Sequence, residues 1–259
     1  VLTSFAGGDL FGGAWGTGTP SVVALHGWQR THRDFAPVFA PASFADRHAA
    51  IAPDLPGFGA TPAPPEAWGT PEYARHLLSL FDGTDRLAER ITLVGHSFGG
   101  RVAVRLATMV PDRIERLVLT GVPLVDRADR RATPAPTYRI ARRLHRMGLV
   151  GDARMEAMRQ QYGSPDYRAA HGVVRSVFVR TIAEEYTGDM ARIACPVVLV
   201  WGGEDTEIPP EVARRAVRLF PEATLSVVPH CGHLVPLEAP DALREAVIDG
   251  DAPAPGGGG

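Results

Sequence analysis

Six apolar, β-prone runs punctuate the chain: "SVVALHG" (21–27), "AAIAPD" (49–54), "ITLVGH" (91–96), "RLVLTGV" (116–122), "PVVLVWG" (196–202) and "TLSVVPH" (224–230). None alternates apolar with polar residues. A strand with one face in water alternates, so continuous runs predict strands covered on both faces, as in a parallel sheet. Helical patterns fall between most of them. "PEYARHLLSLFDGTDRLAER" (71–90) begins with proline at a helix-start position and carries an Asp-Gly pair able to break it, while "FGGRVAVRLATMV" (98–110) stops before Pro111. The alternation predicts an α/β fold with a mostly parallel, twisted sheet flanked by helices, whose ligands collect at the carboxyl ends of the strands.

One interval breaks the rhythm. From 125 to 192 no strand pattern occurs; Ile140, Leu144 and Met147 share one helical face, as do Met155, Met158 and Tyr162, and "VVRSVFVRTIAEEY" follows. The expected organisation is a core of residues 1–124 and 193–250, a helical cap of residues 125–192 inserted into it, and a low-complexity, disordered tail at 251–259. With 259 residues, 45% of them hydrophobic, the chain is able to bury one sizeable core. A net charge of −2 gives no reason to expect nucleic acid or a membrane surface as partner. No apolar run approaches the ~18 residues of a membrane helix. The opening "VLTSFAGGDLFGGAWG" has neither the basic nor the apolar segment of a secretion signal, so a cytoplasmic location is expected.

Cys195 precedes one expected strand and Cys231 follows the next. In parallel strands the thiols stand at opposite ends, roughly 20 Å apart, where a disulfide tolerates only ~7 Å between Cα atoms. Both are expected to be reduced.

Gly95-His96-Ser97-Phe98-Gly99 fits G-x-S-x-G, the strand-to-helix elbow that raises a nucleophilic serine at the top of a sheet. Small residues suit so tight a turn. A serine hydroxyl is a weak nucleophile without a base, and the base needs a partner to fix its tautomer. Asp205 lies just past the run at 196–202 and His233 just past the last run, both at the edge of the sheet that carries Ser97. The order Ser, Asp, His is the one this arrangement uses. Asp205 has rivals in Glu204 and Glu207, and His233 has one in His230. His26 and His96 read as hydrogen-bonded supports of their loops.

These segments resemble the α/β-hydrolase family over nearly the whole chain. "HGW" (26–28) resembles its oxyanion-hole motif, "DLPGFG" (54–59) the next strand-end loop, "GHSFGG" the nucleophile elbow, "WGGEDTEIP" the acid loop and "GHLVPLEAP" the histidine loop. The resemblance selects Asp205 and His233 over their rivals. It also implies that Trp28 and Phe98 offer their backbone N–H groups to an oxyanion, each such donor being worth ~3 kcal/mol of barrier. Serine at the elbow implies acyl transfer with no metal or organic cofactor. The leading expectation is a serine carboxylesterase acting on a small-molecule ester or related acyl bond. A lyase or carbon–carbon hydrolase on a carboxylated substrate is the enzymatic alternative, and a hydrolase-fold receptor with little turnover is the non-enzymatic one.

For the substrate, Arg101 opens the helix after the elbow in "GGRVA", similar to a menaquinone-pathway lyase that binds a carboxylate, and Met155 and Met158 are candidates for the inner face of the cap. Residues 125–192 hold 13 arginines against 8 acids, and the rest of the chain 14 against 21. A basic cap on an acidic body is expected to attract an anionic or carrier-protein-linked ester, as in the pimeloyl-carrier-protein methyl ester esterases that the arginine-rich cap also resembles. Monomer and homodimer are both compatible with the sequence.

Overall fold

The computed structural model describes residues 2–82, 86–125, 140–141, 143–145, 147–162 and 165–249. The tail at 251–259 and the segment 126–139 that opens the expected cap lie outside the described residues.

All six apolar runs are strands: β3 (Val22–Leu25), β4 (Ala50–Pro53), β5 (Ile91–His96), β6 (Ile114–Thr120), β7 (Val197–Gly202) and β8 (Ala223–Val228). They pair in parallel in the order β4-β3-β5-β6-β7-β8. Every residue of β3, β4, β5 and β7 is buried, as the absence of alternation requires. Neighbouring residues serve opposite faces. Val23, Leu25, Leu93 and Leu117 pack on one side with Tyr73 and Val102, whereas Val22, Ala24, Val94 and Val118 pack on the other with Phe39 and Leu243.

Two further strands at the amino end escape the sequence pattern. β1 (Leu2–Phe5) and β2 (Leu10–Trp15) extend the sheet antiparallel beyond β4, completing eight strands. "LFGGAW" lacks the β-branched residues that signal a strand. Its Gly12 is needed for another reason: a Cβ there would overlap the carbonyl of Ala52 on β4.

The helices that matter to the site are α1 (Thr70–Leu77), α2 (Phe98–Met109), α3 (Asp152–Tyr162), α4 (Pro165–Ala169), α5 (Gly172–Thr181), α6 (Thr187–Met190) and α7 (Pro240–Ile248). The expected helix at 71–90 is shorter than its pattern; α1 tightens into a 3-10 turn at Leu78–Phe81 and stops at Asp82, where the Asp-Gly pair begins. Ile140 and Met147, expected to share a packed apolar face, are 60% and 62% exposed.

Between β6 and β7 the described residues form no strand, only helices. Charge and hydrogen bonding tie this excursion to the core. Arg105 of α2 pairs with Asp189 of α6 and donates to the carbonyl of Glu185 at 2.9 Å. Thr70 at the start of α1 bonds Glu184, and Arg180 of α5 bridges to Glu72 of α1 at 2.9 Å. Among the described residues no helix is long and apolar enough to cross a membrane.

Candidate active site

Ser97 sits between β5 and α2 with φ 50° and ψ −113°. For a residue with a Cβ this is a strained conformation, costing on the order of 1–3 kcal/mol, and it persists only where the surroundings impose it. Here they do. The Ser97 N–H donates to the carbonyl of Thr120 on β6 at 2.9 Å, and the Ser97 carbonyl accepts from Gly100 and Arg101 at 3.1 and 3.3 Å. Helix α2 then leaves so close to the sheet that a Cβ on Gly99 would overlap the carbonyl of Leu25, and one on Gly95 would meet Gly100. The glycines of the motif make room for the crossing.

Asp205 occupies a loop that fixes itself. The indole N–H of buried Trp201, on β7, donates to the carbonyl of Ile208 at 2.7 Å and closes the loop. Oδ1 of Asp205 accepts the N–H groups of Glu207 and Ile208 at 2.9 and 2.8 Å. Its other oxygen, Oδ2, lies 2.8 Å from Nδ1 of His233. A carboxylate only accepts, so Nδ1 carries the proton and Nε2 of the neutral ring is left bare.

The histidine loop is clamped by Glu238, whose two oxygens accept the N–H groups of Gly232 and Leu234 at 2.6 and 3.0 Å, one on each side of His233. His96 adds a third hold by donating from Nε2 to the His233 carbonyl at 3.1 Å. Burial, with His233 nearby, drives the His96 imidazole down to about 3, so it stays neutral. His26 is likewise lowered by burial. It donates from Nδ1 to the carbonyl of Gly27 and accepts the N–H of Leu55 at Nε2, both at 2.8 Å. Both histidines brace loops, as their positions suggested. His230 instead points outward, its side chain 90% exposed, and pairs with Glu204 at 3.0 Å. Burial pushes the His233 imidazole down, but its hydrogen bond to Asp205 and the charges of Asp205, Glu207 and Glu238 outweigh it and hold the ring above its ordinary value.

Ser97 and His233 line one cleft of about 510 Å³, together with Trp28, Phe98 and Arg101. Trp28 follows β3 and its ring packs 5.0 Å from Phe58, 5.3 Å from Phe98 and 5.1 Å from Phe178, making an aromatic wall. Phe98 opens α2, where the first N–H groups have no intrahelical acceptor. Among the described residues no hydrogen bond joins the Ser97 hydroxyl to His233; Nε2 of His233 lies 3.7 Å from Oε2 of Glu207. Catalytic hydrogen bonds commonly tighten only around bound substrate.

Met155 and Met158 do not line this cleft. Met155 is fully buried, and among the described residues the excursion's share of the cleft wall comes from Asp166 on α4 and from Phe178, Thr181 and Ile182. Periodicity marks an apolar face without saying what that face meets. Glu207, considered in the sequence only as a rival acid, takes a different place: its backbone N–H donates to Asp205 while its Oε2 lies 3.7 Å from Nε2 of His233 at the cleft.

A bare imidazole nitrogen, fixed by a buried carboxylate and sharing a hollow with a hydroxyl on a strained elbow, is equipped to take a proton from an alcohol. Both features stand at the carboxyl edge of a doubly covered, mostly parallel sheet. Residues 22–246 match the alpha/beta hydrolase family, and the chain belongs to it. Among curated relatives, it is 27% identical to a 2-hydroxy-6-oxononadienedioate/2-hydroxy-6-oxononatrienedioate hydrolase of Cupriavidus pinatubonensis, over 90% of this chain and 87% of that one. It is 29% identical to a 2-hydroxy-6-oxo-2,4-heptadienoate hydrolase of Pseudomonas putida, over 73% of this chain and 72% of that one. A thermophilic esterase from Thermogutta terrifontis shares the fold with a TM-score of 0.67, at 24% identity, covering 96% of this chain and 97% of the other.

Proposed function

We propose that this hydrolase is a serine esterase in which Ser97, His233 and Asp205 act as a triad on a small-molecule carboxylic ester. The reading rests on the 2.8 Å contact between Asp205 Oδ2 and His233 Nδ1, which leaves Nε2 free to act as a base in the cleft of Ser97. Nε2 takes the Ser97 proton as Oγ bonds to the ester carbonyl carbon. The oxyanion is held by the N–H groups of Trp28 and Phe98, and Asp205 stabilises the imidazolium. His233 then gives that proton to the departing alkoxide, the carbon–oxygen bond breaks, and an acyl-Ser97 intermediate and an alcohol result. Water, deprotonated by His233, releases the acid. The helical excursion between β6 and β7 serves as a cap, since α5 supplies part of the cleft wall.

A second reading is favoured by the two dienoate hydrolases among the relatives: cleavage of a carbon–carbon bond beside a ketone in a carboxylated substrate. Arg101, which lines the cleft one turn along α2 from Ser97, is the residue that would meet the carboxylate.

A fluorophosphonate should add once per chain, at Ser97, with no adduct on Ser97→Ala, and a chromogenic ester should be turned over steadily. An adduct on another residue removes the nucleophile assignment. A single burst without turnover makes the chain a receptor, and faster cleavage of 2-hydroxy-6-oxo-dienoates than of any ester selects the second reading.

A further inference from the structure

The loop that carries His233 has little backbone pairing of its own. It runs from the end of β8 at Val228 to the short helix Val235–Glu238. The Cys231 carbonyl accepts the N–H of Glu204 at 2.8 Å, but the N–H groups of Gly232 and Leu234, both half-buried, find no backbone acceptor among the described residues. Amides withdrawn from water need acceptors. One side chain serves both: Oε2 of Glu238 accepts from Gly232 at 2.6 Å and Oε1 from Leu234 at 3.0 Å. The chain on either side of the base therefore depends on a single carboxylate.

The loop also has little room to drift without taking the imidazole with it. A Cβ on Gly202 of β7 would overlap the carbonyl of Gly232, and one on Gly121, just past β6, would come within 2.8 Å of Cε1 of the His233 ring. Main chain and ring each lie against a glycine. Asp205 meets the ring at Nδ1, and its other hydrogen bonds go to the amides of Glu207 and Ile208, so it does not hold the main chain of the histidine loop. Beside Glu238 stands the Cys231 thiol, which burial and the charges of Glu238 and Asp205 push up to about 11, so it stays uncharged and does not compete for the two amides.

We propose that Glu238 is a positioning residue for the reaction: its carboxylate sets the main chain from which the His233 ring projects, so that Nε2 meets the Ser97 hydroxyl, while Asp205 sets the tautomer. The inference rests on the Ser97–His233 reading and deepens it. The atoms exchanged in that reaction are unchanged. Glu238 acts through His233 and not on the substrate, so its loss lowers turnover rather than binding.

Three variants test this on a chromogenic ester, with active sites counted by fluorophosphonate labelling. Glu238→Gln keeps the shape but sets one acceptor and one donor against two donors, and Glu238→Ala removes the clamp; each should lose kcat by about tenfold with KM within about twofold of the parent. Glu238→Asp keeps both acceptor oxygens on a shorter stem and should retain kcat to within about threefold. A parent-like kcat in Glu238→Gln, a loss carried by KM, or an aspartate variant no better than the alanine one overturns the proposal while leaving the esterase reading in place. So does a lower urea midpoint with kcat per labelled site unchanged. Failure of the unmutated protein to cleave the ester or to take the label at Ser97 counts against the esterase reading itself. If no variant folds, hydrogen exchange in the unmutated protein carries the test: the Gly232 and Leu234 amides should both exchange slowly, and fast exchange at both overturns the clamp.

Discussion

At Ser97 the backbone sits at φ 50° and ψ −113°, a conformation that glycine adopts with less strain. Ser97→Gly is therefore expected to stabilise the fold by about 1 kcal/mol, read as a higher urea midpoint, while abolishing ester cleavage. An unchanged or lower midpoint means the elbow stores no strain. His233 makes a second prediction. Burial lowers its pKa, but the bond and charge of Asp205, together with Glu207 and Glu238, raise it further, and the adjacent His96 is neutral above about 3. A base must be unprotonated, so kcat/KM should rise with pH through an inflection above the ordinary ~6.5. Glu207→Gln should move that inflection down, and an inflection already at or below the ordinary value contradicts the assigned partners. The placement of Ser97, Asp205, His233, Trp28 and Phe98 at one edge of the sheet was legible because each lies a few positions past a strand end, where local sequence fixes geometry. Met155 and Met158 were not, because which face of a helix looks into a cleft is decided by its packing partners.

Among the elements, α2 carries both the chemistry and the anchor of the excursion. Ser97 immediately precedes its first turn, and Arg105 further along pairs with Asp189 and lies 4.7 Å from the ring of Tyr186. Asp189 is 6% exposed and also contacts Arg192 at 2.5 Å. Replacing Arg105 by alanine leaves that buried carboxylate short of a partner and should destabilise by about 2–3 kcal/mol. Urea unfolding measures it, and a loss below about 0.5 kcal/mol would show that Arg192 alone suffices. Strands β3, β4, β5 and β7 were readable because burial on both faces writes itself into every residue, whereas β8, with one buried residue of six at the sheet edge, was readable from its β-prone residues alone. β1 and β2 were not, since antiparallel pairing at a sheet edge is a long-range choice, and Gly12 reports a close backbone approach rather than a strand.

Taken whole, the molecule keeps His26 and His96 fully buried and neutral, with both pKa values lowered by burial. The unfolded chain takes up protons at these sites below ~6.5 that the folded chain refuses, so stability is present above that pH and falls on acidification toward the folded values. His96, held near 3, contributes a loss of up to about 2 kcal/mol by pH 5. His233 acts in the opposite sense: its raised pKa adds stability that is fully present below ~6.5 and is lost as pH rises through the folded value. Melting temperature should fall from pH 7 to pH 5, and His96→Gln should flatten the slope; a flat profile in the parent would contradict neutral burial. The whole also shows how separately its reactive parts are built. Asp205 satisfies two backbone amides without help from the imidazole, and Ser97 is shaped by glycines and by β6. A descendant that loses His233 would keep an intact scaffold around an intact hollow, and with it a ready path from consuming a molecule to sensing it.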